Sequence, residues 1–91
     1  MLPVQWSPEA ESDLENILRY MAARNPGAAQ NFLAEVTRLV GQLPLHPMLY
    51  RQGRVTGTRE LPLRSNYFIT YAITATAIRI LAVVHTRRQY P

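Results

Sequence analysis

A chain of 91 residues, 47% apolar and 18% charged, can bury one modest hydrophobic core and is too apolar to stay disordered. It has no cysteine, which excludes disulfides, thiol catalysis and every zinc site built on thiolates, and His46 and His85 alone cannot hold a metal. All ten basic residues are arginine, and the net charge of +4 is unevenly spread: Glu9, Glu11, Asp13 and Glu15 precede every arginine, and only Glu35 and Glu60 follow.

Leu2, Val4 and Trp6 alternate with Pro3 and Gln5, which predicts a short first strand with one buried face. Ser7-Pro8 is a helix start, a capping hydroxyl followed by a proline whose missing N–H costs nothing in the first turn. Glu9, Glu11 and Asp13 suit the positive end of that helix, and Ala10, Leu14, Ile17, Leu18 and Met21 recur at helical spacing, so a helix is expected over residues 8–23. Asn25-Pro26 repeats the signal at once, and Phe32, Leu33, Val36, Leu39, Val40 and Leu43 mark a second apolar stripe reaching about residue 42. So short a gap makes the two helices a hairpin.

Pro44 and Pro47 open a loop over 44–57 that carries His46, Tyr50, Arg51 and Arg54. Three strands then follow with period two, at 59–63, 67–73 and 78–85, joined by short turns and therefore antiparallel. Simple alternation in the last strand groups Ile78, Ile80, Ala82 and Val84 on one face. It puts Arg79, Leu81, Val83 and His85, with Arg87 beyond, on the side away from the helices. The expected fold is α+β, in the order β-α-α-β-β-β: a single domain over residues 1–91, with a helical hairpin on one face of a small, mainly antiparallel sheet. The other face is expected to be partly free.

The opening MLPVQW lacks the basic-then-apolar pattern of a secretion signal, and the apolar stretch 67–84 is broken by Arg79 and reads as strands, so a cytoplasmic protein without membrane contact is expected. Phosphate-binding glycine loops, serine elbows and metal-binding His pairs are missing, and Glu11 and Glu15 read as solvated helix surface. The chemically richest segment is the end, His85-Thr86-Arg87-Arg88-Gln89-Tyr90-Pro91, with Arg64 brought near it by the strand order. Metal-free RNA cleavage needs a base, a phosphate-binding cation and an acid, roles that His85, Arg64, Arg87 and Tyr90 can fill. The competing reading has His85 closing a strand and the arginines binding an acidic partner. Tyr67 and Tyr71 read as core, Trp6 likewise.

The elements in this order, with SPEAESDLENILRY, AAQNFLAEV, LPLHPMLYRQGRVTGTREL, NYFITYAI and ILAVVHTRRQYP as the carrying pieces, resemble toxins of the RelE/ParE superfamily over nearly the whole chain. The hydrophobic strand running into His-x-x-Arg is most similar to the ParE branch. The resemblance implies a toxin of a bacterial type II toxin-antitoxin module, neutralised by a wrapping antitoxin that also carries the pair to operator DNA. It implies growth arrest by poisoning DNA gyrase, without a cofactor. The alternative, implied by the RelE branch, is a metal-independent endonuclease that cuts mRNA on the ribosome. Arg64 in LPLRSNY and Arg87 after the last strand match arginines of RelE-like nucleases; Tyr90 sits too close to Arg87, and lysines used by some members are absent, leaving Arg51 and Arg54 as substitutes. A YoeB-like set is matched loosely by Glu60, Arg64, His85 and Tyr90. Expected contacts to target or partner are Arg64, Arg79, His85, Arg87 and Arg88.

Overall fold

The computed structural model describes residues 1–88. It contains β1 (Val4–Trp6), α1 (Pro8–Arg24), α2 (Pro26–Gln42), β2 (Arg59–Pro62), β3 (Tyr67–Ile73) and β4 (Ile78–His85), which is the expected element order. The strands form one sheet in the order β1-β4-β3-β2. β1 runs parallel to β4, and the other pairs are antiparallel.

Local chemistry explains the helix boundaries. Ser7, extended at φ −70°, ψ 155°, caps α1 by accepting the Ala10 N–H at 3.0 Å, and its own hydroxyl donates to the Leu81 carbonyl at 3.2 Å. Asn25 serves both helices. Its backbone N–H donates to Met21 O at 2.8 Å to close α1, and its Oδ1 accepts the Ala28 N–H at 3.2 Å to open α2. One extended residue therefore turns the chain between two helices, and Pro26 continues from it at no hydrogen-bond cost.

The hairpin covers one face of the sheet. Phe32, Val36, Val40 and Leu43 from the second helix meet Leu61, Ile69, Tyr71, Ile78, Ile80 and Val83 in a core where each is under 7% exposed. Beyond the reach of β1, helix α1 completes the edge of β4: Asp13 Oδ2 accepts the Val83 N–H at 3.0 Å. A donor that would otherwise be an unpaired sheet edge is thus satisfied by a side chain. Trp6 packs against this core but stays only partly buried, whereas Tyr71 is fully enclosed.

The expected alternation in β4 needs correction. The pairing runs Ile69 to Val83 and Thr70 to Ala82, but then Tyr71 to Ile80, so Leu81 is an extra residue in β4. Such a bulge reverses the alternation on either side of it. Val83 and His85 consequently share the helix-covered face with Ile78 and Ile80, and His85 does not project away from the helices. Its ring meets Tyr67 edge to face at 4.9 Å, and Tyr67 in turn meets Phe32 of α2 at 5.3 Å. The second face is partly free, as expected: Gln5 and Pro62 upon it are exposed and Ala72, Arg79 and Ala82 half-buried, while Glu60, Phe68, Thr70 and Val84 are each at most 2% exposed.

Candidate functional site

The structure gathers one group of expected site residues at the end of the sheet where the β2–β3 turn meets the tail. Asn66, at φ 63°, allows the tight reversal there, and its carbonyl accepts the Thr86 N–H at 2.7 Å. Arg64 sits in this turn, its backbone N–H held by the Glu35 carboxylate of α2 at 3.1 Å, and borders an open depression of about 530 Å³ with Phe32, Glu35 and Arg38. Arg87 and Arg88 follow β4 and are exposed, with the Arg88 N–H closing a turn onto His85 O at 2.9 Å. His85 Nδ1 accepts the Arg87 N–H at 3.0 Å, so the neutral ring carries its proton on Nε2. Its free side opens toward Asn16, Ile17 and Tyr20 of α1.

Burial raises the Tyr67 phenol above its ordinary value, with a smaller contribution from Tyr20. Neither tyrosine of this strand is thereby prepared to lose a proton. For Tyr71 burial raises the value, Arg59 opposes and Tyr50 adds to the rise. The Tyr71 hydroxyl is committed as a donor to Pro47 O at 2.7 Å.

A second cluster lies on the other face. Glu60, 2% exposed, accepts Arg51 Nε at 3.2 Å and Nη2 at 3.0 Å through one oxygen and the Arg54 backbone N–H at 3.2 Å through the other. The Arg54 guanidinium lies 4.0 Å from that second oxygen and 5.6 Å from the Phe68 ring centre. Arg59 points the opposite way and donates to Tyr50 O at 2.7 Å and Met48 O at 3.3 Å. Adjacent residues of one strand thus fasten the two halves of the loop, which holds Leu45, Met48 and Leu49 outward at 63%, 70% and 69% exposure.

The loosely matched nuclease set does not converge. Glu60 faces one side of the sheet and His85 the other, and Tyr90 lies outside the described residues. Arg79, also an expected contact, is half-buried on the face of Glu60, opposite Gln5 and Ala72 and away from the Arg64–Arg88 end group. Sequence reasoning did not recognise Glu60 as the buried clasp of the loop; its parity opposite Leu61, in a strand with one helix-covered face, was the available signal. Among the described residues no group of three or more His, Cys, Asp or Glu is placed to hold a metal ion. Among the described residues no helix is long and apolar enough to cross a membrane.

Comparison with known proteins agrees with this architecture. Residues 4–90 match the family model described as the ParE toxin of the type II toxin-antitoxin system parDE. A Sinorhizobium fredii protein named "Putative toxin Y4kP" is 34% identical over 89 residues, covering 97% of this chain and 92% of its own. Among solved structures, the chromosomal ParDE TA system from P. aeruginosa superposes with a TM-score of 0.84 at 21% identity, over 96% of this chain and 98% of that one. The YoeB dimer from Staphylococcus aureus superposes less closely, at 0.65 and 14% identity, over 98% of each chain. These structural likenesses carry the fold, while the family model and the S. fredii relative carry the assignment. With its β-α-α-β-β-β order and its match from Val4 almost to the end, the chain belongs to the ParE toxin family of type II toxin-antitoxin systems.

Proposed function

We propose that this chain arrests growth by poisoning DNA gyrase, that a cognate antitoxin neutralises it in the cytoplasm, and that it reaches operator DNA only within that complex. The observation supporting the choice of target is the match of residues 4–90 to the ParE toxin family. The loosely matched set with Glu60 is divided besides, since acid–base cleavage through Glu60 and His85 would need both within hydrogen-bond reach of one phosphodiester and a β-sheet stands between them. Further support comes from how each is occupied, Glu60 by Arg51 and the Arg54 N–H, His85 Nδ1 by the Arg87 N–H.

The arginines at the end of the sheet suit a target of protein and cleaved DNA. Planar guanidinium groups bind phosphate or carboxylate bidentately and keep their charge at any physiological pH. Arg64, Arg87 and Arg88 present that chemistry from a turn and tail pinned to the sheet, with His85 behind them and Arg79 on the second face. An antitoxin pairing is supported by the parDE description of the family and by the P. aeruginosa assembly. A segment that orders as it wraps the toxin recovers the entropy through buried apolar area and charge complementarity.

Purified toxin added to reconstituted gyrase is expected to inhibit supercoiling and accumulate cleaved DNA, and Arg64→Ala or Arg87→Ala is expected to relieve growth arrest. Unaffected gyrase together with mRNA cut on the ribosome overturns the target. Full arrest by both variants overturns the contact assignment.

A further inference from the structure

We propose that the hollow where α1 meets the end of the sheet takes an unpaired nucleobase of the target's DNA, stacked on Tyr20 and hydrogen-bonded by His85, with the attached phosphate on the arginines of the tail. This rests on the gyrase reading above and specifies what the toxin itself touches there. The hollow, about 320 Å³, is lined by Asn16, Ile17 and Tyr20 of α1, Tyr67 of β3 and His85 of β4. That is the small end of the range of ligand pockets, about 300–1,000 Å³, with room for one flat ring system rather than a folded cofactor. Tyr20, Tyr67 and His85 give it three aromatic walls.

Tyr20 is held in place yet left in water. It is 57% exposed, while Arg24, one turn further on, lays its guanidinium 3.8 Å from the ring centre and donates to the Tyr20 carbonyl at 3.2 Å. The cation restrains the ring from one face and leaves the other for a partner. An aromatic surface that is ordered but uncovered stacks a base at little entropic cost, and it tolerates every base because each has a π-face. The other two walls are fixed by edge-to-face contacts, Phe32 to Tyr67 at 5.3 Å and Tyr67 to His85 at 4.9 Å.

The polar groups of the hollow suit the edge of a base better than a hydrocarbon ring. His85 Nδ1 accepts the Arg87 N–H at 3.0 Å, so the neutral imidazole offers its Nε2–H. Asn16 Oδ1 accepts Arg19 Nη1 at 3.3 Å, which leaves the amide hydrogens to donate. The Tyr67 hydroxyl, unlike that of Tyr71, is bonded to none of the described residues. A phenyl ring entering would strip water from these donors and return no hydrogen bond, whereas the carbonyl and ring-nitrogen acceptors of a base satisfy them. Charge excludes a cationic guest. None of the lining residues is acidic, and the neighbouring acids of α1 are engaged, Asp13 by the Val83 N–H at 3.0 Å and Glu15 by Arg19 at 3.4 Å. Arg24 beside Tyr20 and the exposed Arg87 and Arg88 beyond His85 favour a ring that brings a phosphate with it. A base must leave its stack to enter, a step that costs least where the duplex is already interrupted, as in DNA that gyrase has cleaved.

The two histidines give the test its own control, since His85 borders the hollow and His46 lies in the loop after α2. Deoxyguanosine monophosphate titrated into the full toxin is expected to shift the Tyr20 and Tyr67 ring protons and the His85 Cε1 proton in NMR spectra, with His46 unmoved. Deoxyribose phosphate, the same anion without a base, is expected to leave the Tyr20 ring unshifted. Tyr20→Ala is expected to bind the nucleotide about 5-fold or more weakly, and Tyr20→Phe, which keeps the stacking face, to bind as the parent does. Alanine suits an exposed helix position, so Tyr20→Ala is expected to melt no lower than the parent. With reconstituted gyrase, Tyr20→Ala is expected to accumulate about 5-fold less cleaved DNA at equal concentration, and Tyr20→Phe as much as the parent. Equal shifts with deoxyribose phosphate overturn base capture, and so do shifts with p-cresol but not with the nucleotide, which give the hollow to an aromatic side chain of a protein. Equal trapping of cleaved DNA by the parent and Tyr20→Ala overturns the hollow's role while the gyrase reading stands. Parent toxin that leaves gyrase unaffected removes that reading and, with it, the DNA as the source of the base.

Discussion

Replacing Glu60 by alanine removes the carboxylate that receives Arg51 and the Arg54 N–H, while the backbone bonds from Gly53 N–H to Thr58 O and from Glu60 N–H to Arg51 O remain. The Arg51 side chain is 71% exposed, so its ion pair with the carboxylate contributes at most about 1 kcal/mol after solvent screening. The Arg54 N–H loses its acceptor, which costs about 1 kcal/mol. One methylene, Cγ, in a side chain 3% exposed is lost as well, worth about 0.8 kcal/mol of transfer. Relief of the carboxylate's own desolvation offsets part of this, leaving about 2 kcal/mol. In a domain of this size that lowers the melting temperature by about 8–16 °C. Glu60→Gln keeps the stem and one acceptor and is expected to lose about 1 kcal/mol. Thermal melts followed by circular dichroism measure both, and growth arrest should fall only as the folded fraction falls. A Glu60→Ala melt within about 3 °C of the parent refutes the clasp. Retained stability with abolished mRNA cleavage in Glu60→Gln makes the carboxylate a chemical group instead.

Three further substitutions or titrations examine the frame around the site. Gly53→Ala drives a Cβ into the Thr58 hydroxyl, which is itself bonded to Val55 O at 2.6 Å, and should cost about 1–3 kcal/mol in a urea melt; an unchanged midpoint contradicts the close approach. Ser7→Ala removes both the α1 cap and the bond to Leu81 O, for about 1–2 kcal/mol, and parental stability would show the cap to be dispensable. Tyr71 should titrate above its ordinary 10.0 because it is buried. With the folded value above the unfolded one, the folded state holds its proton longer, so stability is full below about pH 10 and declines as pH rises past it. Absorbance at alkaline pH showing Tyr71 ionising at or below its ordinary value refutes that burial effect.

Much of the fold was legible because its signals are local. Ser7-Pro8 and Asn25-Pro26 announce two helices through capping chemistry that needs no tertiary partner, and the structure places α1 and α2 at those starts. The change of period after Thr58 likewise locates three strands within a residue or so of where they lie. What failed depended on distant partners. Nothing in ITATAIRILAVVH marks Leu81 as a bulge, since leucine has no special backbone conformation and the slip exists only in the pairing with β3. The burial of Glu60 similarly depends on Arg51 and Arg54 folding back from nine and six residues away.

That one inserted residue also bears on how a shared fold can serve different chemistry. Side chains alternate along a strand, so an extra residue moves everything beyond it to the other face without altering the strand order, the hydrophobic content or the overall superposition. Here the shift carries His85 onto the helix side, where Tyr67 and the turn to Arg87 hold it, while Glu60 remains across the sheet under Arg51. A sequence match residue by residue places Glu60 and His85 in one candidate set; the register separates them. Arg64, Arg87 and Arg88 are unaffected by that separation, because they lie in the turn and tail beyond the paired strands, where a bulge changes no alternation. Positive charge therefore gathers at one end of the sheet regardless of register, whereas chemistry shared between Glu60 and His85 would require the two faces to agree. The groups that survive the register shift are those suited to binding phosphate and carboxylate.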